Sequence, residues 1–200
     1  MQALTAHLGH CGAAVLLRQW AVASLLAVAI GACDSCAADD ESHPLQAQVK
    51  AAYLYKFAGY VEWPPNAFTD AAAPFTIGVV GAGDIADELN KLKSGRAVND
   101  HPVEVRILKP GDSTRGVQLV FVGSSADAAQ LRRVLDSYKT LPTLTISDTP
   151  GAVDAGCVIN FVMVDKRIRF EISLGNAERQ GLKISSRLLA VAQRVEAGRP

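Results

Sequence analysis

The chain is poor in the residues from which reactive sites are built. It holds four cysteines and four histidines in 200 residues. Cys11, Cys33 and Cys36 lie in or beside an apolar leader, so a chain cut behind that leader keeps Cys157 alone. One cysteine forms no internal disulfide and no thiolate metal site. Its flanks put it at the start of a strand, packed as a small hydrophobe. Beyond the leader the histidines are His43 and His101. Neither has a neighbour at metal-ligand spacing, so no metal is expected. Charge of one sign is also lacking: Lys plus Arg is 20 and Asp plus Glu is 20, which leaves no electrostatic footprint for nucleic acid. No P-loop, nucleophile elbow or paired-histidine helix occurs, and no base stands beside a nucleophile. The expectation is a protein without cofactor that is not an enzyme.

A second long apolar run is missing as well. The first, Trp20–Ile30, is 11 residues behind Arg18, which suits an export signal and is too short to span a bilayer. Two cleavage readings stand. Small residues in Ser35-Cys36-Ala37 fit cleavage after Ala37, giving a signal peptide over 1–37. Ile30-Gly31-Ala32-Cys33 instead fits a lipoprotein box, with a leader ending at 32 and Cys33 acylated. The first places the protein in the periplasm and the second on the inner membrane. Residues 38–44 then form a flexible lead-in, and 45–197 a single domain. The remaining chain, about 160 residues, is enough for one sizeable core.

Hydrophobic periodicity gives the elements. Leu45, Val49, Tyr53 and Phe57 recur every four residues and predict a helix over 45–61, ended by Pro64-Pro65, with Lys56 snorkelling from its apolar face. Strands are expected at 75–80, 103–108, 117–122 and 144–147. Helices are expected from Asp84 to Leu92, with Asp84 as cap, and from Ser124 or Ser125 to about Tyr138. This alternation predicts an α/β fold: a three-layer sandwich of a mostly parallel sheet, helices on both faces and a C-terminal antiparallel hairpin. A short helix over 174–180 stops at Gly181. A closing amphipathic helix, capped by Ser185 or Ser186, uses Leu188, Val191, Ala192 and Val195 as its stripe.

The hairpin can be read in register. A two-residue turn at Asp165-Lys166 sets Val164 against Arg167, Phe161 against Phe170 and Ile159 against Ile172. Met163 and Ile168 share that apolar face. The other face sets Val162 against Arg169 and Asn160 against Glu171. Asn160, Arg169 and Glu171 thus form one polar cluster, with Arg169 and Glu171 within ion-pair reach. It is an ordinary solvated face or a recognition surface. Trp63, beside prolines, is a core plug or an exposed anchor.

One pattern invites over-reading. Gly81-Ala82-Gly83-Asp84-Ile85-Ala86 follows a strand and opens a helix, as a dinucleotide-binding turn does. Asp84 at the helix mouth would repel a phosphate, so the glycines are read as a tight exit from the strand.

Four blocks carry a likeness: AAYLYKFAGYVEWP (Ala51–Pro64), GRAVNDHPVEVR (Gly95–Arg106), LTISD (Leu144–Asp148) and INFVMVDKRIRFEISLGNAERQGLKISSRLL (Ile159–Leu189). Together, in order and spacing, they resemble the YfiR family of periplasmic proteins. The resemblance implies an α/β sandwich and a non-catalytic, dimeric periplasmic regulator. It further implies a partner: the periplasmic region of an inner-membrane diguanylate cyclase, held inactive, or of a histidine kinase in other relatives. An outer-membrane lipoprotein that sequesters the regulator is a second implied partner. Carried over by position, the family's pattern lands on Glu62, Trp63 and Pro64, on Asn160 and Phe161, on Arg169, Phe170 and Glu171, and on Lys183, Ile184, Ser185 and Ser186. The residues taken as partner-binding are Glu62, Trp63, Asn160, Arg169, Glu171 and Lys183. Lys56 stands where the family often has asparagine, and Cys157 where it usually has glycine.

Overall fold

The computed structural model describes residues 38–109 and 112–198. The expected leader, with both cleavage readings and Cys33, lies outside them. Contacts group residues 44–200 into one compact unit.

Among the described residues the order is α1 (Ala38–Ala58), β1 (Val61–Glu62), β2 (Phe75–Val80), α2 (Gly83–Leu92), β3 (Ala97–Val98) and β4 (His101–Ile107). Then come β5 (Leu119–Val122), α3 (Ala128–Tyr138), β6 (Leu144–Ser147), β7 (Ile159–Val164) and β8 (Arg167–Ser173). The chain closes with α4 (Leu174–Arg179), β9 (Lys183–Ile184), α5 (Ser186–Leu189) and β10 (Arg194–Glu196). A 3₁₀ turn, Pro65–Ala67, follows β1. Eight strands form one sheet in the order β10-β8-β7-β6-β5-β2-β4-β3, and β1 pairs with β9 in a separate two-stranded sheet. Within the large sheet only β7–β8 and β3–β4 pair antiparallel.

The central strands are apolar on both sides because both sides are covered. Every residue of β2, β5 and β6 is buried. Alternation then splits them between two cores. Leu119, Phe121, Leu144, Ile146, Ile159 and Phe161 pack with Leu54 and Phe57 of α1 and with Ile85 and Leu89 of α2. Val80, Val120 and Val122 pack with Leu131, Leu135 and Tyr138 of α3. Helix, sheet, helix is the expected three-layer sandwich. Phe57 anchors the first core. Its ring centroid lies 4.9 Å from Phe170, 5.6 Å from Tyr53 and 5.8 Å from Phe161.

Several boundaries differ from the sequence reading, each for a local reason. Helix α1 starts at Ala38, so residues 38–44 are helical where a flexible lead-in was expected, and Pro44 sits inside the helix. Proline removes one backbone donor, which shortens a ladder without having to end it. The helix stops at Ala58 rather than 61, and Val61 is already in a strand. The buried face is Ala47, Ala51, Leu54 and Ala58, with Phe57 beside it, while Leu45 is 61% exposed. The spacing was right and the phase was not, because alanines let the helix lie close to the sheet. Lys56 is consequently exposed.

The caps move too. The α3 cap is Asp127, whose carboxylate accepts from Gln130 N at 2.6 Å. The α2 cap position is Ala82, with Asp84 inside the first turn. The closing amphipathic helix is a single turn capped by Ser185. Val191 is 64% exposed, and Val195 lies in β10, parallel to β8. A short helix gains little from its own hydrogen bonds. The open edge of β8 offers a ladder instead, beginning with Gln193 N donating to Phe170 O at 2.8 Å.

Candidate functional site

The hairpin forms in the register expected: Val164 faces Arg167, Val162 faces Arg169, Phe161 faces Phe170 and Asn160 faces Glu171. Asp165 and Lys166 both have positive φ, 48° and 59°. That is the backbone of a type I′ turn, which matches strand twist even without glycine. Phe161 and Phe170 are buried in the first core, while Met163, toward the tip, is 53% exposed.

The polar face divides by depth. Arg169 is exposed and makes no ion pair among the described residues. Glu171 is half-buried and pairs with Arg194 rather than with Arg169. Its two carboxylate oxygens accept from Arg194 Nε at 3.1 Å and Nη2 at 3.0 Å, a two-pronged pairing between β8 and β10. Arg194 also bonds Glu196 on its own strand. Register makes this pairing natural, since Arg194 lies directly beside Glu171. Asn160, the next residue in the same row, is 1% exposed, and its Oδ1 has no hydrogen-bond partner. It is therefore inside the sandwich and cannot be touched by a partner protein. The expected cluster is contiguous in register, but only Arg169 and the outer edge of the Glu171–Arg194 pair reach solvent.

The second group gathers at the small sheet. Pairing of β1 with β9 sets Glu62 opposite Lys183 and Val61 opposite Ile184. Ser185 N donates to Tyr60 O at 2.9 Å, extending the junction. Glu62 and Lys183 are both exposed, so 121 residues of sequence separation end as one charged pair of positions. Trp63 is half-buried. Its ring meets Phe75 edge-on at 5.3 Å, and its Nε1 donates to Ala58 O at 3.3 Å. It is mainly a plug closing the end of α1. Gly181, at φ +70°, makes the turn that delivers β9.

Sequence reasoning missed Lys50. Its Nζ lies 2.6 Å from Asp148 Oδ2, with side chains 16% and 10% exposed. This pair ties the middle of α1 to the end of β6. Asp148 closes the LTISD block, so half of the pair was in view. Lys50 escaped because the helix phase was misplaced. Arg194 was missed because a helix was expected where β10 runs.

The remaining candidates have structural roles. His101 Nδ1 is 2.6 Å from Ala73 O, and its ring stacks on Phe68 at 3.9 Å. Gly81, at φ +65°, offers its carbonyl to the Ser125 hydroxyl, and a Cβ at Gly123 would stand 2.7 Å from that same carbonyl. The glycine-rich turn is thus used by close packing of the β2 and β5 exits. Cys157 is fully buried, and burial pushes its thiol up to about 12. Among the described residues there is no group of three or more metal-ligating side chains, and no helix long and apolar enough to cross a membrane.

Compared with known families, residues 47–193 match the model described as YfiR/HmsC-like. No curated protein matches the chain.

Proposed function

The chain belongs to the YfiR/HmsC-like family, whose theme is periplasmic regulation of diguanylate cyclase signalling, and on that premise we propose that it is an exported repressor of one such membrane enzyme. In this reading it binds the periplasmic sensor region of an inner-membrane diguanylate cyclase and holds it inactive. Cyclic di-GMP and surface attachment stay low as a result. The protein acts by contact and turns over no substrate. The observation that carries the proposal is the family match, which covers residues 47–193, from within α1 to just before β10.

Two surfaces supply the contact. One is Arg169, an exposed cation with no ion pair among the described residues, held on the β7–β8 hairpin. The other is the Glu62–Lys183 pair of positions on the small sheet. Exposed charge on well-ordered strands can steer and orient a partner with little ordering cost. Glu171 acts behind Arg169 by fixing β10, and Asn160 and Trp63 support the two surfaces from inside. The protein acts as a homodimer, and an outer-membrane lipoprotein that captures it would lift the repression. The alternative partner, a histidine kinase, uses the same surfaces.

The test is complementation of a gene deletion by exported variants. Arg169→Glu and Lys183→Glu should fold as wild type by circular dichroism yet fail to lower cyclic di-GMP. Full repression by both variants would remove these surfaces from the contact.

A further inference from the structure

A cavity on the α3 side of the sheet carries chemistry that the surfaces above do not use. It has a volume of about 230 Å³ and is lined by α3 on one side and by Leu108, Lys109, Asp112 and Thr114 on the other. Its floor is Val80, Leu108, Val134 and the ring of Tyr138. The sequence builds that floor with a glycine. A Cβ at Gly78, in the middle of β2, would come within 2.4 Å of the Leu108 side chain, so only glycine lets Leu108 lie flat there.

The mouth of the cavity is cationic. Lys109 and Arg133 line it, both exposed and neither ion-paired among the described residues. Arg106 and Asp112 both lie near enough to act electrostatically on Tyr138, in opposite senses. The one carboxylate in the lining, Asp112, is partly engaged already, its Oδ2 accepting from Lys109 N at 2.8 Å. Tyr138 lines the cavity and is 2% exposed, and no hydrogen bond joins its hydroxyl to another described residue. That hydroxyl is not one of the buried side-chain atoms sealed from solvent without a partner, so it stays accessible to water or to a cavity occupant. Burial pushes its ionisation up to about 12, so it stays a neutral O–H donor at any physiological pH. An apolar floor, an unused donor and a cationic mouth are the parts of a site for an amphipathic anion.

We propose that this cavity binds a small carboxylate with an apolar body, the body on Leu108 and Val134 and the carboxylate among Lys109, Arg133 and the Tyr138 hydroxyl. The site lies on the opposite side of the sheet from α1, and the proposal does not depend on what the hairpin binds. It supplies a place where a free acid could reach the regulator.

The probes are 3-phenylpropionate and hexanoate, each paired with its neutral amide, titrated into the purified protein by heteronuclear NMR. Both acids should shift the amide resonances of Val80, Leu108, Val134 and Tyr138 and saturate at millimolar concentration. Each amide should bind about tenfold more weakly, as loss of a charge-assisted contact implies. Arg133→Gln, on an exposed position that leaves the fold alone, should weaken acid binding several-fold and leave the amides unchanged. Tyr138→Phe should weaken the acids too. The proposal is overturned if neither acid saturates, if acid and amide bind equally, or if the shifted resonances lie elsewhere.

Discussion

The Lys50–Asp148 pair gives the sharpest test of how α1 is held. Replacing Lys50 with methionine keeps the length and apolar stem of the side chain and removes the charge. Asp148 would then keep a carboxylate with both oxygens unmet, since Oδ1 has no partner even now. Exposed ion pairs contribute about 0–1 kcal/mol. Breaking a fully buried pair from one side costs about 3–5 kcal/mol. At 16% and 10% exposure this pair sits nearer the buried limit, so Lys50→Met should cost about 2–3 kcal/mol. Urea denaturation followed by circular dichroism would read this directly. With a slope of about 2 kcal/mol per molar, the midpoint should fall by about 1 M or slightly more. Adding Asp148→Asn to that variant should recover much of the loss, because the stranded charge is gone. A single variant as stable as wild type, or a double variant no better than the single, would refute the argument that this contact is dry enough to matter.

Phe57→Ala should cost about 3–5 kcal/mol by the same measurement, since the ring fills the centre of the first core and touches three other aromatic rings. Asp165→Asn with Lys166→Gly should stabilise the protein by about 1 kcal/mol, because both positions already hold positive φ; a loss of stability would contradict the turn assignment. Cys157 should be inert to thiol reagents in the native state and reactive in urea. Its thiol ionises near 9.0 when unfolded and near 12 when folded, so between those values the folded state binds the extra proton. Stability should therefore be unaffected below pH 9 and fall above it, by up to about 1.4 kcal/mol per pH unit, with a shallower fall in Cys157→Ala.

Much of this molecule could be read before its structure. The strands at 75–80 and 144–147 end where hydrophobic runs and turn residues said they would. The hairpin register followed from one decision about a two-residue turn, since period-two alternation then places every pair. What escaped was set by the third dimension. Alanines carry no strong signal, yet Ala47, Ala51 and Ala58 decide which face of α1 is buried. The last strand could not be foreseen, because its ladder partner is the edge of β8 and its side-chain partner is Glu171. For the same reason the polar cluster was half legible. Asn160, Arg169 and Glu171 share a face as expected, but alternation gives the side of a sheet and not the depth of each position beneath its cover.

The account rests most heavily on repression of a membrane cyclase by an exported protein. Cyclic di-GMP should be measured in cells lacking the gene, then in the same cells complemented by the full chain and by a chain without residues 1–37. The level should rise on deletion, return with the full chain and stay high with the leaderless one. An unchanged level on deletion, or rescue by the leaderless chain, would contradict it.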